Sequence, residues 1–423
     1  MNVLLLGGGG REHAMAWRLS QSPLCKQLFL APGNAGTSEF GQNLAINPLD
    51  FAALKTAVLE HRIGLVICGP EEPLVRGVQD FFRADADLRS VRFLGPSAEA
   101  AQLEGSKAYA KVFMEEQGIP TAGYRSFTAA TLEEGLEYLN HCQPPIVLKA
   151  DGLAAGKGVV ILNDAGEART ELQSMLEGKF GAASAEVVVE EFLDGIEFSV
   201  FVLTDGESYR LLPVAKDYKR IGVGDTGPNT GGMGSVSHPP FVDADLMAKV
   251  EQRVIKPTLR GIQQRGLDYK GFIFIGLIAV DNDPYVIEYN CRMGDPETQS
   301  VMARLKTDFL QLCLQAADGE LAAATIEMDE RQAATVVMVS GGYPGPYEQG
   351  KVIAGIEAVH DSMVFHAGTS RNAAGELVSS GGRVLAITSY GKDFREALQK
   401  SYASAKKIHF EGGNYRGDIG FDL

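Results

Sequence analysis

The chain has 423 residues, too many for one hydrophobic core, and its length suggests about two to four domains. With 45% hydrophobic and 22% charged residues the whole chain is expected to fold. A net charge of −15 argues against nucleic-acid and anionic-membrane partners, which need clustered Lys and Arg, so small substrates are expected. Cys25, Cys68, Cys142, Cys291 and Cys313 are scattered without a Cys-x-x-Cys pair, which indicates neither a disulfide framework nor a zinc site.

In chain order, Val3 to Leu6 reads as a strand, Gly7 to Gly10 as a turn and Arg11 to Leu19 as a helix. The opening apolar run is too short for a signal peptide or a membrane span, so the cytoplasm is the expected location. Such a βα unit offers backbone N–H groups and a helix N-terminus to an anion. It is not a dinucleotide fingerprint, because the third glycine falls on Glu12 or His13. The second strand, Gln27 to Ala31, ends in Pro32-Gly33-Asn34-Ala35-Gly36-Thr37 without the acidic residue that would hold an adenine ribose. Later strands, Leu65 to Cys68 and Val91 to Leu94, also end in Gly- or Pro-rich turns. In a parallel sheet these turns share one edge, where Arg11, Asn34 and Glu71 could converge.

A helical stretch from Gln102 to Gly118 carries Lys107 and Lys111 one turn apart. Then strand Ile146 to Lys149, the glycine loop Asp151 to Gly158 and strand Val159 to Leu162 form a hairpin with Lys149 at its base and Gly156-Lys157 at its tip. A cationic flap of this kind can fold over a triphosphate. It is not a Walker loop: from Gly152 only three residues precede Gly156-Lys157, and Gly158 stands where Ser or Thr should be. Glu190-Glu191-Phe192-Leu193 reads as a linker that could present its backbone to an adenine edge, with Glu197 beyond it for the ribose hydroxyls.

Asp225 to Gly234 is a long polar glycine-rich loop, and a helix is expected from about Asp243 to Arg265 with a kink at Pro257. Strands Gly271 to Val280 and Pro284 to Tyr289 flank a hairpin turn at Asp281-Asn282-Asp283. Period-2 alternation puts Val286 and Ile287 on opposite faces and points Glu288 and Asn290 the same way, with Arg292 in the same parity. A carboxylate and an amide oxygen so placed suit Mg²⁺ or Mn²⁺, and the guanidinium suits a carboxylate or phosphate. The charged stretch Glu327 to Gln332 looks like a boundary, followed by strands Ala334 to Ser340, Lys351 to Ile353, Met363 to Ala367 and Arg383 to Ser389 and a helix from Phe394 to Ile408.

The hairpin lysines, the Glu190/Glu197 linker and the Glu288-x-Asn290 strand together resemble the ATP-grasp ligases. The runs Gly9 to His13, Pro32 to Thr37, Lys149 to Gly158, Asp225 to Gly234 and Asn290 to Glu297 resemble, more narrowly, the phosphoribosylamine–glycine ligase family over essentially the whole chain. The resemblance implies an α/β (α+β overall) ATP-grasp fold: a parallel-sheet pre-ATP-grasp domain at 1–103, an ATP-grasp domain at 104–326 with a mobile small lobe at about 122–192, and a mainly β domain at 327–423. It implies a purine-pathway ligase acting on glycine, 5-phosphoribosylamine and ATP through a glycyl phosphate, with Mg²⁺ or Mn²⁺, as a monomer.

By the same resemblance Lys107, Lys149, Gly156, Lys157, Glu190, Glu191, Phe192, Leu193 and Glu197 would bind ATP, and Glu288 and Asn290 the metal. Gly10, Arg11, Asn34, Gly36, Thr37, Glu71, Asp217, Asn229, Thr230, Gly231, Arg292, Gly294 and Asp295 would bind the other substrates. Arg292, Asp295 and Lys149 would serve catalysis. Many ATP-grasp enzymes carry a further metal carboxylate on the preceding strand, but Phe274 to Leu277 has none, so phosphates and waters must complete the shell. A biotin-dependent carboxylase or another purine-pathway ATP-grasp enzyme is the nearest alternative, and a nucleotide-binding regulator is the alternative from another class.

Overall fold

The computed structural model describes residues 1–153 and 158–423. Its first sheet is wholly parallel, in the order Gln42–Asn43, Gln27–Pro32, Asn2–Gly7, Ile63–Cys68, Arg92–Leu94. Val3, Leu4, Leu5 and Leu6 are all fully buried, as a strand covered on both faces requires. The order reverses between Asn2–Gly7 and Ile63–Cys68, so their carboxyl ends open a crevice into which Arg11 and Glu71 project.

From Thr121 the chain passes into a small antiparallel sheet ordered Tyr124–Thr128, Glu186–Glu191, Ile146–Ala150, Val159–Leu162. Helices Leu132–Leu139 and Ala165–Leu176 cover it, and Phe127, Leu148, Leu172 and Val187 belong to a core of its own. The neighbouring antiparallel sheet runs Tyr209–Leu211, Ile196–Thr204, Gly271–Val280, Asp283–Asn290. Its last two strands join through Asp281 and Asn282, both at positive φ (49° and 62°), the geometry of a tight two-residue hairpin.

Four local expectations change. The strict alternation through Val286 and Ile287 does not hold, because the register shifts at Ile287: Gly276 faces Glu288 while Leu277 faces Val286. This bulge lets Val286 and Tyr289, an odd number of residues apart, enter one core. The single kinked helix is instead Ala244–Val250, a π-helical segment Glu251–Ile255 and Lys256–Gln264; Pro257 has no N–H to continue the ladder. The stretch from Asp225 is not all loop, since Arg220–Gly222 and Thr226–Asn229 pair across Gly224 and Asp225, both at positive φ. Lys351 to Ile353 makes an isolated bridge, Val352 to Val378, rather than a strand, because beyond Ser379 the facing chain turns away at Gly381-Gly382.

The last sheet contains Lys216–Asp217, Gly234–Ser237, Gln332–Val339, Arg383–Gly391, Met363–His366 and, at its side, Asn414–Tyr415. It draws strands from both sides of residue 327. The independent core of the small lobe generates a prediction. Leu172→Ala, at a fully buried position, is expected to cost about 3 kcal/mol. Hydrogen exchange should then quicken in Tyr124–Thr128 and Ile146–Ala150 before it does in the parallel sheet.

Candidate active site

The sheets and their connecting turns enclose a cleft of about 570 Å³ lined by residues from every part of the chain. On the strand Asp283–Asn290 the bulge precedes both Glu288 and Asn290, so they still share a side, and both line the cleft. Gly276 faces Glu288, and a Cβ there would lie 3.1 Å from the Glu288 Cγ, so the glycine clears room for the carboxylate. Lys149 is buried at the end of its strand, donating to the Ile287 carbonyl (3.3 Å) and pairing with Glu190 Oε2 (2.8 Å). Lys107 sits nearby, and burial lowers its pKa from the ordinary lysine value.

Arg292 is the hub of the opposite wall. Its guanidinium donates to Glu104 (2.7 Å), Glu71 (3.3 Å) and the Asn290 Oδ1 (3.0 Å). Burial works against its charge, but Glu104 and Glu71 outweigh that and raise its pKa. Burial would likewise raise Glu71, yet Arg292 and Arg11 hold its carboxyl below the ordinary value; Glu104, more enclosed, stays above it. Arg11 pairs with Glu12 (2.6 Å) and donates to the Met293 carbonyl (3.1 Å), which ties the N-terminal glycine turn to the segment after the strand Asp283–Asn290.

The third wall is built around Asp295 and the loop at Asn229 to Gly231. Arg383, from the last sheet, donates to the carbonyls of Gly231 (2.5 Å) and Asp295 (2.6 Å) and pairs with the Asp295 carboxylate (3.2 Å). Burial would raise Asp295, but Arg383 and Arg11 keep it below the ordinary carboxylate range. Tyr343 accepts a hydrogen bond from the Gly231 N–H (3.0 Å). Lys219 joins Asp217 (3.2 Å) and Glu197 (2.8 Å). Glu297 is buried, takes a hydrogen bond from Ser199 (3.2 Å), and is pushed up to about 7 by burial and by Asp217.

Models of phosphoribosylglycinamide synthetase match the chain as an N domain at residues 1–104, an ATP-grasp (A) domain at 105–298 and a C domain at 333–422. The chain is 48% identical to the phosphoribosylamine–glycine ligase of Yersinia pestis and 47% to that of Escherichia coli strain K12. Each alignment covers 100% of this chain and 98% of the relative. This chain belongs to the phosphoribosylamine–glycine ligase family. The crystal structure of the family's Thermotoga maritima member superposes with a TM-score of 0.85 at 35% identity, over 98% of this chain and 99% of that one. A biotin carboxylase from Campylobacter jejuni shares the fold at a TM-score of 0.74 and 15% identity, over 98% of this chain and 92% of that one.

Of the residues expected from the ligase resemblance, the cleft gathers Arg11, Glu71, Lys107, Glu190, Asp217, Asn229, Thr230, Gly231, Glu288, Asn290, Arg292 and Asp295. Lys149 adjoins it through Glu190. Asn34, Gly36 and Thr37 do not line it. The Asn34 carboxamide accepts from the N–H groups of Gly36 and Thr37 and donates to the carbonyls of Gly8 and His366, bracing the N-terminal turn against the last domain. Gly10 packs against Gln299, and Gly294 against the Glu297 carboxylate. Glu191, Phe192, Leu193 and Glu197 lie off the lining, with Glu197 held by Lys219. Gly156 and Lys157 fall outside the described residues.

Glu104, Lys111, Lys219, Glu297, Tyr343 and Arg383 line the cleft without having been singled out as site residues. Glu297 closes the Asn290 to Glu297 run already noted, Lys219 lies two residues after Asp217, and Lys111 lies one turn from Lys107; Glu104, Tyr343 and Arg383 carry no local signal.

Two predictions follow from this geometry. A Glu297 pKa of about 7 in the folded chain exceeds the unfolded value of 4.5, so the native state holds more protons between those values and stability falls as pH rises from 5 to 7. Glu297→Gln should flatten that decline in ligand-free urea titrations. Arg383→Ala frees Gly231 and Asp295 together, and steady-state assays should show kcat/KM for glycine falling about 10²-fold, as misplacement of positioning groups does.

Proposed function

We infer that this chain joins glycine to 5-phosphoribosylamine, converting ATP to ADP and phosphate and giving glycinamide ribonucleotide by way of a glycyl phosphate, in de novo purine biosynthesis. The observation that carries this is the convergence of Glu288, Asn290, Arg292 and Asp295 with Glu190 and the lysines in one cleft of a chain that matches the family along its whole length.

A glycine carboxylate is a poor electrophile, so it first takes the γ-phosphoryl group and the amine then displaces phosphate. Phosphoryl transfer is chiefly positioning and charge neutralisation. We assign the nucleotide to the end of the cleft bounded by Lys107, Lys149 and Glu190, with Gly156-Lys157 and the Glu191 to Leu193 linker contributing to the same site. Arg292 already shares its fork with two carboxylates, but among the described residues its Nη1 donates only to the neighbouring Met293 carbonyl (3.2 Å), which leaves that edge for the glycine carboxylate or the transferring phosphoryl group. Asp295 and Asp217 are held by Arg383 and Lys219 as acceptors for the substrate amines. The Gly10-Arg11 turn, Glu71 and the Asn229 to Gly231 loop bound the ribose phosphate side.

Glu288 and Asn290 offer one carboxylate and one amide oxygen, a donor set that fits Mg²⁺ or Mn²⁺. Among the described residues the buried Asn290 Nδ2 has no partner, while its Oδ1 accepts from Arg292. Among the described residues no group of three or more His, Cys, Asp or Glu gathers to hold an ion by itself, so phosphate oxygens and water must complete the shell. When bound, the cation neutralises the phosphate charge that develops in transfer.

We place the enzyme in the cytoplasm as a monomer in three domains meeting near residues 103 and 326. Its net charge of −15 argues against a nucleic-acid partner, and among the described residues no helix is long and apolar enough to cross a membrane. The test is phosphate release from ATP and Mg²⁺ with freshly formed phosphoribosylamine. Release should require glycine and the amine together, with glycinamide ribonucleotide detected, and Glu288→Gln should lower kcat by about 10²- to 10³-fold. Release that depends on bicarbonate instead of glycine would overturn this reading in favour of a carboxylating ligase.

A further inference from the structure

Lys111 is a lysine only 2% exposed, in the helix Lys107–Gln117. Its ammonium donates to the Thr121 hydroxyl (2.8 Å) and the Ala122 carbonyl (3.1 Å) and lies 3.3 Å from Glu190 Oε2. Thr121 and Ala122 are where the chain enters the small lobe, and Glu190 is where it leaves. Thr121 in turn donates to the Val286 carbonyl (2.7 Å), on the strand that carries Glu288 and Asn290. One buried cation therefore fixes both crossings of the lobe junction and ties them to the metal strand.

Its effect on Glu190 is asymmetric. Lys149 (2.8 Å) and Lys111 both hold Oε2, whereas Oε1 is buried and has no hydrogen-bond partner among the described residues. A buried carboxylate oxygen without a donor is costly and rare, and Glu190 lines the cleft. The donor that fits is one brought by a ligand. On an adenine base the only exocyclic donor is the 6-amino group, while a 6-oxo purine presents an oxygen there, which a carboxylate repels.

We propose that Lys111 is a positioning residue for nucleobase selection: by holding one oxygen of Glu190 together with Lys149, it leaves the other to accept the adenine 6-amino group and to reject a 6-oxo purine. This rests on the assignment of that end of the cleft to the nucleotide. Burial also lowers the Lys111 pKa to about 8, against which Glu190 is the chief group that favours the charged ammonium.

The experiment compares ATP and ITP as substrates of the full-length wild type, Lys111→Met, Lys111→Arg and Glu190→Gln. Lys111→Met should raise KM for ATP about tenfold with a smaller fall in kcat, and should shrink the preference for ATP over ITP by a similar factor. Lys111→Arg, which keeps the charge and the donors, should restore most of that preference. A general loosening of the lobe would instead lower kcat for both nucleotides alike and would overturn the proposal. If Glu190→Gln weakens ATP selection while Lys111→Met leaves KM and preference unchanged, the role of Lys111 is refuted and the nucleotide assignment stands. If neither variant changes them, the assignment of the base to this end falls as well. Should Lys111→Met unfold early in a thermal scan, Thr121→Val, which removes one acceptor that aims the ammonium, should show the same loss of preference at about threefold, and an unchanged preference there would refute the role.

Discussion

A buried guanidinium must be neutralised where it stands, and Arg292 meets that demand with carboxylates from two distant stretches, Glu71 after the fourth parallel strand and Glu104 before the Lys107 helix. Its third contact, the Asn290 carboxamide, belongs to its own strand end. Removing either acid would leave charge uncompensated in a place that water reaches poorly, at a cost of several kcal/mol. The N-terminal sheet, the helix that leads into the small lobe and the strand that carries Glu288 and Asn290 are thereby locked into one arrangement. The same constraint shapes ligand binding. An incoming carboxylate or phosphate does not find a bare cation; it must enter a network that is already balanced, which favours groups that match the free edge of the fork and disfavours anions in general.

Much of the cleft was legible because residues two apart on a strand share a face wherever no bulge falls between them. Glu288 and Asn290 follow that rule. What lay beyond the rule was the bulge at Ile287, because it depends on the facing strand, where Gly276 takes the place of a side chain opposite Glu288. Alternation read from one strand places Glu288 and Asn290 on one side, as the structure does, and assigns the core residues Val286 and Tyr289 to opposite faces, an error that only the partner strand exposes.

The residues missed share a different reason. Glu104, Tyr343 and Arg383 act through partners tens or hundreds of positions away, and no local pattern marks a side chain whose importance is conferred by a remote one. Asn34 shows the converse. Its polar turn looked like a ligand site, yet the carboxamide is consumed by the backbone of its own turn and by His366, as short polar side chains in tight turns commonly are.

The last sheet takes Gly234–Ser237 from the middle of the chain and pairs it with Gln332–Val339, which pairs in turn with Arg383–Gly391. The loop that carries Asn229 to Gly231 is thus anchored by strands made late, and Arg383, which clamps it, opens the later of the two. During synthesis the parallel sheet and the small lobe can form while the ribosome is still at work, but the Asn229 to Gly231 loop has no edge to dock on until the later strands of the last sheet emerge. The order of manufacture therefore leaves one wall of the cleft unassembled until the polypeptide is nearly finished, well after the parallel sheet and the small lobe can fold.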